Sequence, residues 1–135
     1  MTDSLTVNYR FLPDQTLRPY LWVMVTGLNG INQLILGIVD SGADKSCLPL
    51  GYISQLGYDA ASLTAQPMGQ AGGITNSFVA SAPCDAVVPG LPNSEFQIRP
   101  TFTDGQFVLW GRDDFMHSFD VLFEQSQNRF TLTTH

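Results

Sequence analysis

The stretch from Leu34 to Asp44 constrains this chain more than any other. It reads Leu-Ile-Leu-Gly-Ile-Val, then Asp40-Ser41-Gly42-Ala43-Asp44. An apolar strand runs straight into a carboxylate, and the carboxylate is followed by a hydroxyl, a glycine and a small residue. Strands of this kind end inside a protein, which half-buries Asp40. A buried carboxylate is costly to ionise unless a partner is supplied. Ser41 and Gly42 permit a tight turn whose backbone N–H groups point back at that carboxylate. Asp-Ser-Gly alone is a common surface turn. The buried approach and Ala43 set this one apart, because a surface turn needs neither.

The rest of the chain reads as short strands divided by turns. Leu5 to Phe11 alternates apolar and polar residues, as a half-buried strand does, and Pro13-Asp14 breaks it. Leu21 to Thr26 and Gln33 to Val39 flank Leu28-Asn29-Gly30, a hairpin signal, so a hairpin delivers Asp40 to its place. Pro49 is positioned to open a short helix through about Leu56, with Gly57 ending it. Thr64 to Met68 and Ile74 to Ala80 flank the glycines Gly69, Gly72 and Gly73, a hairpin pattern. From composition alone this is a plain surface hairpin. Strands follow at Pro83–Val88, Glu95–Arg99 and Phe107–Trp110. A short helix runs from Gly111 to about Ser118, with Asp113 and Asp114 near its positive end. Asp120–Glu124 and Arg129–Thr133 close the chain as strands. Many short strands with little helix point to an all-β barrel or sandwich.

Ile38-Val39-Asp40-Ser41-Gly42-Ala43 resembles the active-site signature of the retropepsin-like aspartic proteases. Val108-Leu109-Trp110-Gly111-Arg112-Asp113-Asp114-Phe115 resembles that family's late apolar-apolar-Gly motif, which leads into a short helix. The two lie about 70 residues apart, in the family's order, with a Gly-rich hairpin between them. The resemblance covers roughly residues 20 to 133. It implies a closed barrel of the retropepsin-like acid protease type, with a Gly-rich flap hairpin and one or two short helices.

Composition narrows the alternatives. A chain of 135 residues is read as one domain, 1–135, large enough to bury a core. An apolar share of 44% argues against disorder. The charged share, 13%, is low enough to suggest that a partner covers part of the surface. Acids outnumber Lys plus Arg by 12 to 6 with no basic cluster, which excludes nucleic acid as the expected partner. Cys47 and Cys84 give no metal spacing; two reduced core residues are favoured over a disulfide. Met1-Thr2-Asp3-Ser4 does not begin a signal peptide, and no apolar run is long enough to span a membrane. The expectation is a cytoplasmic protein without membrane contact, although a domain cut from a longer precursor would look the same.

Peptide hydrolysis by carboxylates needs two of them sharing one proton. One takes a proton from the attacking water, and the other donates a hydrogen bond to the scissile carbonyl. This chain has a single apolar-Asp-Ser-Gly signature. The resemblance therefore implies a homodimeric aspartic endopeptidase with Asp40 of each subunit at the two-fold axis, acting on peptide or protein substrates without metal or organic cofactor. It further implies supporting roles for Ser41, Gly42, Ala43, Gly111 and Arg112. Gly42, Asp44, Ala71, Gly72 and Gly73 would bind substrate main chain, the last three as the flap. Arg112 would pair with Asp44, while Leu109 and a bulky Trp110 pack beneath the Asp40 turn. Lys45 departs from the acidic residue of retroviral members. The alternative function is a non-catalytic dimeric peptide-binding or assembly module on the same fold. Asp113 with His117 is weighed as a metal site and Cys47 with His117 as a thiol pair. In both cases the plain reading, a helix-start acid and a buried structural cysteine, is the better one.

Overall fold

The computed structural model describes residues 2–11, 16–70 and 73–135, and for 68–70 and 73–75 the backbone alone. The chain opens with β1 (Ser4–Asn8), whose Leu5 and Val7 are half-buried while Ser4, Thr6 and Asn8 are exposed. Next, β2 (Arg10–Phe11) pairs with β3 (Leu17–Arg18). Then β4 (Tyr20–Thr26) and β5 (Asn32–Val39) form an antiparallel hairpin, Tyr20 opposite Ile38 and Thr26 opposite Asn32. After the Asp40 turn come β6 (Cys47–Pro49) and the single-turn helix α1 (Tyr52–Gln55). The hairpin β7 (Thr64–Gln70) and β8 (Gly73–Val79) stays paired up to Gln70 opposite Gly73. Four short strands follow: β9 (Cys84–Val87), β10 (Phe96–Ile98), β11 (Thr101–Thr103) and β12 (Leu109–Trp110). Helix α2 (Arg112–Met116) leads into β13 (Phe119–Glu124) and β14 (Arg129–Thr134).

Nine of these strands make one sheet, in the order β10–β9–β4–β5–β12–β6–β11–β8–β7, and β1–β14–β13 make a second. Among the described residues the large sheet has two free ends, so the expected closed barrel is not formed by strand pairing. Pro67 lies in β7 and has no N–H to offer a further ladder, and β10 has only three residues before Pro100. No described helix is long and apolar enough to cross a membrane.

Two corrections concern local structure. Pro49 does not open a helix; it ends β6, and α1 begins three residues later, at Tyr52. The sequence pattern also does not reveal β6 or β11. Both are three-residue strands that pair with each other in parallel, Thr101 beside Cys47 and Thr103 beside Pro49. Segments so short and so buried show no alternation to read.

The core is rich in aromatic residues. Phe96, Phe115 and Phe119 form a cluster with ring centroids 5.2 to 5.7 Å apart, which fastens α2 to β10 and β13. Trp110 is fully buried, and its indole N–H donates to the carbonyl of Leu21 at 3.1 Å. Space for that indole comes from Gly37. A Cβ at position 37 would lie 2.6 Å from Trp110 Nε1 and 2.7 Å from Val108 Cγ1. The bulky Trp110 is thus matched by a glycine on the neighbouring strand. Gly37→Ala is expected to destabilise the fold by about 1–3 kcal/mol in urea unfolding. An unchanged midpoint would show that the indole has room to spare.

Candidate active site

The Asp40 turn is held from both sides. On one edge of β5, Val39 N–H donates to the Pro19 carbonyl at 2.9 Å. On the other, Ile38 N–H and Asp40 N–H donate to the carbonyls of Val108 and Trp110, at 2.9 and 3.0 Å. Strand β12 therefore runs parallel to the end of β5 and fixes where the strand stops. Asp40 is half-buried, and its Oδ1 accepts the Gly42 N–H at 2.8 Å, while Ala43 N–H returns to the Asp40 carbonyl at 3.2 Å. The turn thus aims one N–H at the carboxylate. Ser41 and Gly42 are exposed at the floor of an open cleft of about 1340 Å³. Gln66, Pro67, Ser77 and Val79 of the β7–β8 hairpin line it, and Thr103 and Phe107 lie on its wall. Gly73 is described as the residue opposite Gln70; Ala71 and Gly72 lie outside the described residues.

The continuation of the turn is fastened to the start of α2. Arg112 N–H donates to the Ala43 carbonyl at 2.9 Å, and Asp113 N–H to the Asp44 carbonyl at 2.8 Å. The guanidinium of Arg112 also pairs with the Asp44 carboxylate. That ion pair is exposed, at 57% and 70% for the two side chains, so its Coulombic share is small. Gly111 makes the close approach possible. A Cβ there would fall 2.4 Å from the carbonyl carbon of Lys45. No larger residue fits without moving the loop.

Asp114 stands in the first turn of α2, as the sequence reading has it, and makes contacts there that the sequence does not show. Its Oδ1 accepts the Ser46 hydroxyl at 2.5 Å and the Phe115 N–H at 2.7 Å, and its Oδ2 accepts the Arg99 N–H at 3.3 Å. Ser46, fully buried, accepts the Gly111 N–H at 3.0 Å in return. One carboxylate thus joins the loop after Asp40, α2 and the segment after β10. The only sequence signal was its position in the helix's first turn. The wide turn of α2, with Met116 N–H bonded to the Gly111 carbonyl at 3.0 Å, is what points it inward.

Burial pushes the Asp114 carboxyl up from its ordinary value of 3.8, against the opposing pull of the Ser46, Phe115 and Arg99 donors. Cys47 lines the cleft, and burial raises its thiol, with Asp114 and Asp40 adding to the effect. Such a thiol is a poor nucleophile. Cys84 is likewise a buried free thiol, 3.1 Å from the Tyr58 hydroxyl. Among the described residues no three His, Cys, Asp or Glu side chains cluster as metal ligands.

Two solved structures share this fold. A retropepsin-like aspartic protease from Rickettsia conorii superposes with a TM-score of 0.69 at 18% identity, over 99% of this chain and 94% of its own. The fold is that of the retropepsin-like aspartic proteases. The EIAV protease complexed with the inhibitor HBY-793 superposes with a TM-score of 0.56 at 23% identity, over 71% of this chain and 83% of its own. No protein-family model and no curated protein matches the chain by sequence. The likeness is thus one of fold. Within the retropepsin-like fold, Asp40, Gly42, Ala43, Asp44, Gly111 and Arg112 come together around one turn, as the motif resemblance implies.

Two outcomes are expected here. Arg112→Gln should cost less than about 1 kcal/mol in urea unfolding, because the backbone bonds at 112 and 113 persist. A loss of several kcal/mol would show that the exposed ion pair itself holds the loop. The second concerns pH. A carboxylate whose native pKa is raised contributes stability below its unfolded value and loses it as pH rises through the native value. Asp114→Asn removes this dependence while keeping an acceptor for Ser46. Its stability relative to wild type should therefore improve as pH rises from below the ordinary carboxyl value of 3.8 and level off once pH has passed the raised native value. A flat difference would contradict a buried, upward-shifted Asp114.

Proposed function

We propose that this chain is an aspartic-type endopeptidase whose active site is completed by a second copy. The observation that carries the reading is the isolation of Asp40. Among the described residues lining the cleft the one other carboxylate is Asp44, and it is engaged by Arg112. Carboxylate-catalysed hydrolysis needs a pair, so the partner is the Asp40 of a second chain, brought across a two-fold axis.

In this reading the two carboxylates lie close enough that both cannot ionise, and they share one proton. The ionised member accepts a proton from water as the water attacks the scissile carbonyl. The protonated member donates to the carbonyl oxygen and later delivers its proton to the leaving amine. The Gly42 N–H on Oδ1 orients each carboxylate for this task. Ser41 braces the dyad across the axis. Substrate lies extended, its main chain met by Gly42 and Asp44 below and by the β7–β8 hairpin above, where Ala71, Gly72 and Gly73 serve as the flap tip. No cofactor is needed, because water is the nucleophile and the carboxylates supply all proton transfers. The retropepsin-like fold and the open cleft around Asp40 support the reading together.

The test is peptide-library cleavage from acid to neutral pH. Wild type should cleave, with a rate per chain that rises with chain concentration and falls on the alkaline side. Asp40→Asn should lower the rate by about 1000-fold or more at unchanged stability. Cleavage by a species that sediments as a monomer, or wild-type rates from Asp40→Asn, would defeat the proposal.

A further inference from the structure

Strands β2 and β3 form a ribbon of their own that joins neither of the other sheets. Its two cross-strand pairs are Arg10 with Arg18 and Phe11 with Leu17. All four residues are exposed, Phe11 at 69% and Leu17 at 38%. On its own a two-stranded ribbon is marginally stable in water at best. This one sets two like charges directly opposite each other, where they repel, and leaves its apolar pair in solvent. Among the described residues the ion pairs are Arg112 with Asp44, Arg129 with Glu124 and His135 with Asp120, and neither Arg10 nor Arg18 takes part. The ribbon is thus an arm whose cations and apolar side chains lack cover from the rest of the chain.

The root of the arm sets where that cover lies. Pro19, between β3 and β4, accepts the Val39 N–H on its carbonyl at 2.9 Å, one residue before Asp40. Arg18 and Pro19 line the Asp40 cleft, and so does Tyr9 at the other root. Both ends of the arm therefore start beside the turn that carries Asp40. Along an extended strand Leu17 lies within about 7 Å of Pro19. If the Asp40 turns of two copies meet at a two-fold axis, an arm rooted there reaches the neighbouring copy. That copy also brings the charge the arm lacks. It carries twelve acids against six Lys and Arg, and the ion pairs among the described residues engage only Asp44, Asp120 and Glu124. A peptide substrate has no fixed charge, whereas a second copy always offers free carboxylates.

We infer that the β2–β3 arm clasps a second copy of this chain, with Phe11 and Leu17 as apolar anchors and Arg10 held by carboxylates of that copy. The inference rests on the two-copy site proposed above and adds a contact surface to it. Under two-fold symmetry each copy gives one arm and receives one, so every arm contact is made twice. The apolar pair supplies hold, as a buried aromatic anchor does at other interfaces. The cations supply register and a salt-dependent attraction between two acidic chains.

The experiment measures the dimer dissociation constant by sedimentation equilibrium, with peptide cleavage in parallel. The variants are Arg10→Glu, Arg10→Gln and the double change Phe11→Ser with Leu17→Ser. The substituted residues are exposed, so urea midpoints should stay at the wild-type value. The apolar double variant should raise the dissociation constant by about tenfold or more, and Arg10→Glu should raise it by a similar factor. Added salt should weaken the wild-type dimer more than the Arg10→Gln dimer. An unchanged dissociation constant in either the apolar or the Arg10→Glu variant overturns the inference. So does a raised KM for peptide at unchanged association, which would assign the arm to the substrate. A wild type that stays monomeric overturns it as well. The two readings fail separately. Arm variants that weaken a dimer unable to cleave peptide defeat the peptidase alone, whereas a cleaving dimer indifferent to the arm variants defeats the clasp alone.

Discussion

Asp40 stands where it does because the last residues of β5 are bonded on both edges. The Pro19 carbonyl takes the Val39 N–H, and the Trp110 carbonyl takes the Asp40 N–H. A strand end fixed by one neighbour frays; one fixed by two presents its next side chain in a defined direction. The parallel pairing of β12 with β5 is therefore the structural centre of the chain. It joins the two sequence motifs side by side, and it requires Gly37 and Gly111 to be bare. Gly37 admits the Trp110 indole, and Gly111 admits the Lys45 backbone. Gly37 makes room for a side chain of β12, and Gly111 for the loop that meets the residue after that strand.

Around this centre, polar groups are arranged so that the exposed pieces are expendable and the buried ones are not. The Arg112–Asp44 pair is visible on the surface and contributes little, because water screens it. Beneath it, Ser46 and Asp114 join three segments with bonds of 2.5 to 3.3 Å. Removing a partner there leaves a buried group unsatisfied, which costs more than the bond it made. The rigid base this creates lets the overlying cleft stay open and polar. Burial shifts the Asp114 carboxyl upward, and the donors that converge on it oppose that shift.

Much of this was legible in the chain itself, and the parts that were not share a cause. The hairpin delivering Asp40 showed because Leu21 to Val39 is long, β-rich and punctuated by Asn29-Gly30. The turn at Gly42 followed from its local motif, whereas the pairing of Arg112 with Asp44 was expected only from the family resemblance. In contrast, β6 and β11 have three residues each and pair with each other across 54 positions of chain, so no local period marks them. Pro49 illustrates the same limit. It suits a helix start, but a parallel partner at Thr103 makes it a strand end. Asp114 was legible as a helix-start acid, but its bond to Ser46, which lies 68 residues away, leaves no local signal. Among the described residues the sheet ends at β7 and β10 without closing, and neither Pro67 nor the three-residue β10 could be read as a sheet end before the strand order was known.

The account depends most on the claim that one chain carries half of a catalytic pair. Mixing wild-type and Asp40→Asn chains, with time to exchange subunits, tests it directly. If two Asp40 carboxylates are needed, activity follows the square of the wild-type fraction, and an equal mixture retains about a quarter of the wild-type rate. If one chain suffices, activity falls linearly and the equal mixture retains about half. The first result is the one predicted; the second would contradict the shared site.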